Sequence, residues 1–160
     1  MGVMTDYNLI NEQLLGFSKA EANFLPLLSN ASALLWQELK DINWAGFYLM
    51  HKGALLLGPF QGKPACINIK IGKGVCGTAV QTDKVQRVKD VHEFPGHIAC
   101  DSASNSEIVI PLHKDGKIFG VLDIDSPLFD RFSEADEEGL LRFCRVLEEY
   151  IDLSDVFKES

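Results

Sequence analysis

Lys114-Asp115-Gly116 separates two apolar stretches, Glu107–Leu112 (EIVIPL) and Lys117–Asp125 (KIFGVLDID). Aspartate and glycine tolerate positive φ, so this tripeptide closes a tight hairpin and commits the chain to antiparallel pairing. Residues two apart on a strand point to the same face. Asp123 and Asp125 therefore share a face, and Glu107 falls roughly opposite them across the turn. Three acids then form one patch at one end of a sheet. On the pattern alone, this is either a solvated strand end or a functional patch. If partly closed, mutual repulsion and desolvation would keep one carboxyl protonated near neutrality, while the ionised ones could hold an ammonium group.

The other segments extend this sheet and cover it. Trp44–Met50 (WAGFYLM) reads as a buried strand, with a turn at His51-Lys52-Gly53 and a return strand over Ala54–Leu57. Cys66–Ile71 alternates as a half-buried strand, and Val85–Val91 reads as another short one. Helical spacing occurs over residues 5–17 and 27–39, and again along Leu140, Cys144, Leu147 and Ile151. Ser18 with Glu21 has the form of a capping box, as does Ser133 with Asp136. Gly74–Val80 reads as a short helix entered through Gly72-Lys73-Gly74. No linker or repeat divides the 160 residues. The expectation is one α+β domain, residues 1–160, with 1–17 as an N-terminal helical arm and about six antiparallel strands flanked by helices.

Composition narrows the function classes. A formal charge of −8 would repel nucleic acid, and no apolar run is long enough to span a bilayer. The N-terminal MGVMTDYNL lacks a secretory pattern, so the cytoplasm is the expected compartment. There, cysteines bind metal or do redox chemistry more often than they form structural bridges. Cys66, Cys76, His97 and Cys100 could supply four zinc ligands, but Cys66 and Cys76 are ten apart and the set has no Cys-x-x-Cys pair. No metal is expected.

Taken singly, Cys144 reads as a buried apolar residue on its helix. Cys76 follows a helix start whose amides would favour a thiolate, or it is simply packed. Cys100 has His97 nearby, whose imidazolium would lower its pKa. Cys66 has no evident activator and suits a resolving role. Trp44 and Tyr48 share one strand face, either as core or as a ligand wall for a methyl-sulfur group or a cation.

The segments NWAGFY, LGPFQGKPACI, GKGVCG, DVHEFPGHIACD, SEIV and GVLDIDS carry a resemblance that covers nearly the whole chain. The chain resembles the free methionine-(R)-sulfoxide reductases, which are GAF-domain enzymes. The resemblance implies a GAF-like fold and reduction of free methionine-R-sulfoxide without a cofactor, with thioredoxin as external reductant. Cys100 matches the family's attacking cysteine, Cys66 its principal resolving cysteine and Cys76 an auxiliary thiol. Glu107, Asp123 and Asp125 match its substrate-holding acids, and Trp44 and Tyr48 its pocket aromatics. The competing expectation is a non-catalytic GAF domain that senses a small molecule or thiol redox state. Monomer and homodimer are both left open.

Overall fold

In the computed structural model, which describes residues 4–97 and 102–157, Asp115 and Gly116 have φ of +53° and +77°. These values close the hairpin between Ser106–Lys114 (β5) and Lys117–Ser126 (β6). The register pairs Glu107 with Asp125 and Val109 with Asp123. Trp44–His51 (β1) runs antiparallel to β6, pairing Trp44 with Asp125 and Gly46 with Asp123. Ala54–Gly62 (β2), Asn68–Lys70 (β3) and Gln86–Val88 (β4) complete a six-stranded antiparallel sheet of order β3-β2-β1-β6-β5-β4.

Alternation along β1, β5 and β6 assigns each face a task. Ala45, Phe47, Leu49, Ile108, Ile110, Leu112, Leu122 and Ile124 pack into the main core with the helices Tyr7–Ala20 (α1), Phe24–Glu38 (α2) and Glu134–Tyr150 (α4). Trp44, Tyr48, Val109 and Val121 face the other way and pack with Gly74–Thr82 (α3). Cys144 is buried in the main core, as its place on the α4 stripe implied. Among the described residues, no helix is long and apolar enough to cross a membrane.

Several boundaries differ from expectation. The Ser18–Glu21 capping box does not form. Ser18 lies inside α1, where its hydroxyl donates 2.8 Å to the Leu14 carbonyl. The next helix is capped by Asn23, whose side chain accepts from Leu25 N at 3.1 Å. Pro26 fits the first turn of α2, where an amide needs no helical partner. The box at Ser133 and Asp136 does form and starts α4.

Strand β2 continues past Gly58-Pro59 because a register shift between Gly46 and Tyr48 absorbs an extra residue on that strand. Strand β3 is shorter than expected, so Cys66 lies in the loop ahead of it. Gly46 is needed at this bulge: a Cβ there would lie 2.3 Å from Phe60 Cβ and 2.7 Å from its Cα. Gly46→Ala should lower stability by about 1–3 kcal/mol through overpacking, read as a lower denaturation midpoint with unchanged slope.

Candidate active site

The sheet face under α3 carries a pocket lined by Trp44, Tyr48, Cys76, Glu107, Asp123 and Asp125, with Pro64, Ala65, Lys73, His97 and Ser104 around them. Six of the eight site residues that the resemblance implies are therefore together. Cys100 lies outside the described residues. Cys66 is half-buried in the loop beside the pocket and is disulfide-bonded.

The aromatic wall follows from the strand faces. Trp44 and Tyr48 are buried, with ring centroids 5.9 Å apart and planes 24° from parallel. Phe60, from the far side of the β2 bulge, stacks on Trp44 at 5.1 Å. Both polar tips anchor the loop that carries Cys66. Trp44 Nε1 donates to Lys63 O at 3.2 Å, and the Tyr48 hydroxyl donates to Cys66 O at 2.9 Å. Burial, then the negative charge of Asp123, raises the Tyr48 pKa and keeps the phenol as a donor. Sequence reasoning did not separate these aromatics from ordinary core, and it missed Phe60 and Ser104. A phenylalanine between turn residues and a serine in a polar loop carry no distinguishing signal of their own.

The acids are not a solvated strand end. Glu107 and Asp123 are buried at 7% and 5% exposure, whereas Asp125 is half-buried. Ligand atoms of Cys76, Glu107 and Asp123 lie within 4.8 Å of one another. Desolvation, followed by the charges of Asp123 and Asp125, pushes Glu107 well above the usual carboxylate range. Burial also raises Asp123, opposed by hydrogen bonds from Glu107 and Cys76. Crowded like charges in a closed site favour retaining a proton, and Glu107 is its favoured seat. The same three groups are close enough to surround a metal ion, as a mixed thiol and carboxylate set.

Two electrostatic expectations are overturned. The start of α3 does not acidify Cys76, because burial and the three acids raise its pKa well above that of a free thiol. The imidazolium expected of His97 is disfavoured, since desolvation and then the neighbouring His92 lower its pKa.

The sequence pattern of the GAF domain family matches residues 23–151. The chain is 53% identical over 152 residues to the free methionine-R-sulfoxide reductase of Escherichia coli, covering 95% of this chain and 92% of that one. It belongs to the GAF-domain free methionine-R-sulfoxide reductases. Among solved members of the family, the Staphylococcus aureus fRMsr in complex with substrate aligns at TM-score 0.90 and 50% identity, over 95% of this chain and 99% of that one. The free methionine-R-sulfoxide reductase of Neisseria meningitidis, also in complex with its substrate, aligns at TM-score 0.88 and 37% identity, over 94% and 93%. Among the described residues, the six-stranded sheet and four α-helices are the expected α+β GAF architecture.

Proposed function

We propose that this chain reduces free methionine-R-sulfoxide to methionine with thiols as reductant, in the cytoplasm. The observation that carries this reading is the closure of Glu107, Asp123 and Asp125 into one largely buried patch facing Trp44 and Tyr48. The family's solved complexes with substrate support it. The ionised carboxylates suit the ammonium of a free amino acid, a group that a methionine within a chain lacks. The aromatic wall suits the methyl-sulfur end.

In this reading the Cys100 thiolate attacks the sulfoxide sulfur. The oxygen accepts a proton from Glu107, the acid most strongly held neutral. The protonated oxygen passes to the Cys100 sulfur as the sulfoxide S–O bond and the transient S–S bond break, so methionine leaves with its sulfur reduced and Cys100 becomes a sulfenic acid. The Cys66 thiol then attacks that sulfur, releasing water and forming a disulfide. The disulfide at Cys66 supports its resolving role. An external dithiol such as thioredoxin restores both thiols by exchange, so each turnover oxidises one dithiol and reduces one sulfoxide.

The test is consumption of the free R-sulfoxide, with the S form as control and thioredoxin or dithiothreitol as reductant. Loss of the R form alone is expected. Persistence of both forms, with the cysteines confirmed reduced, would remove the enzymatic reading in favour of a ligand or redox sensor.

A further inference from the structure

Family resemblance makes Cys76 an auxiliary thiol, but its surroundings fit another task. Its Sγ lies 3.3 Å from Asp123 Oδ2 in a buried contact. Cys76 is 3% exposed and lies on the buried side of the first turn of α3, in one apolar cluster with Trp44, Tyr48, Val109 and Val121. Thiol exchange needs a thiolate with access to its target. This sulfur is enclosed, and burial with the adjacent acids keeps it protonated. An S–H held against a carboxylate is a hydrogen-bond donor, although a weak one.

The second oxygen of Asp123 gives that donor a purpose. Glu107 also donates to Asp123, yet Oδ1 is buried with no hydrogen-bond partner among the described residues, in a side chain that lines the pocket. A buried carboxylate oxygen left without a donor is costly, so its retention calls for a partner supplied from outside. We propose that Cys76 is a positioning residue whose S–H, together with the hydrogen bond from Glu107, holds the Asp123 carboxylate by Oδ2, leaving Oδ1 to receive the cationic ammonium end of the substrate. A weak donor suits this task, because it fixes the carboxylate while withdrawing little of its charge. This inference rests on the reductase reading.

The test compares Cys76→Ser, which keeps a donor but cannot form a disulfide, with Cys76→Ala, which keeps neither. Wild-type turnover in the same assay separates failure of the reductase reading from failure of this one. With thioredoxin as reductant, Cys76→Ala should raise KM by about tenfold or more and Cys76→Ser by no more than about threefold, the range expected for one hydrogen bond to a charged group. The difference between Cys76→Ala and wild type should vanish for a des-amino sulfoxide, which offers no ammonium. Equal loss of thioredoxin-driven recycling in both variants, with unchanged KM, would overturn the proposal and return Cys76 to a redox role. Infrared spectroscopy gives a readout independent of activity. The S–H stretch that disappears in Cys76→Ser should shift in Asp123→Asn, and an unshifted band would also overturn the proposal.

Discussion

Replacing Glu107 with glutamine is expected to lower kcat by about 10²–10⁴-fold, the contribution typical of a positioned general acid. Glutamine matches the shape of a neutral carboxyl and can still donate a hydrogen bond, but it cannot give up a proton to the departing oxygen. The pH profile separates this from simple damage. Glu107 is raised by burial first, then by Asp123 and Asp125. Wild-type activity should therefore fall as pH rises through that elevated value, and the residual activity of Glu107→Gln should lack that alkaline limb. Stability should fall in the same direction. A carboxyl whose folded pKa exceeds its unfolded value of about 4.3 contributes stability below that value, and the contribution is lost as pH rises through the folded pKa. Glu107→Gln should thus unfold less readily than wild type toward alkaline pH. Unchanged kcat in this variant would move the proton to another acid.

Cys100→Ser is expected to abolish methionine release altogether, whereas Cys66→Ser should release a single equivalent and then stall. Serine at 100 cannot supply the sulfur that accepts the oxygen. Serine at 66 leaves that step intact but removes the thiol that resolves the sulfenic acid. The comparison is made under single-turnover conditions, with product measured per chain before and after addition of thioredoxin. Full release by Cys100→Ser would remove it as the attacking residue. Sustained thioredoxin-driven turnover by Cys66→Ser would transfer the resolving role elsewhere.

The parts of this site written in strand alternation were legible in the sequence. Asp123 and Asp125 must share a face, and the Asp115-Gly116 turn brings Glu107 to them. The α4 stripe and its cap at Ser133 were equally local signals. What escaped was set by distant contacts. Ser18 looked like a cap, yet α1 is capped at Asp6 and runs on to Ala20. The return strand was expected to end at Leu57, but the bulge opposite β1 carries β2 on to Gly62. Cys76 does sit at a helix start, and local reasoning made it acidic. The acids that reverse that tendency come from β5 and β6, tens of residues away in the chain. Helix position is a near-neighbour property, whereas burial against charge is a property of the assembled fold.

The two-faced sheet has an evolutionary corollary. Along β6, Leu122 and Ile124 serve the core while Asp123 and Asp125 serve the pocket. Substitution of a pocket residue leaves its core neighbours in place, so ligand preference can diverge over a conserved scaffold. A one-residue deletion in the same strand would exchange the two sets, sending carboxylates into oil and leucines into the binding site. Lineages descended from such a sheet should therefore vary freely in the letters at alternate positions and hardly at all in strand length.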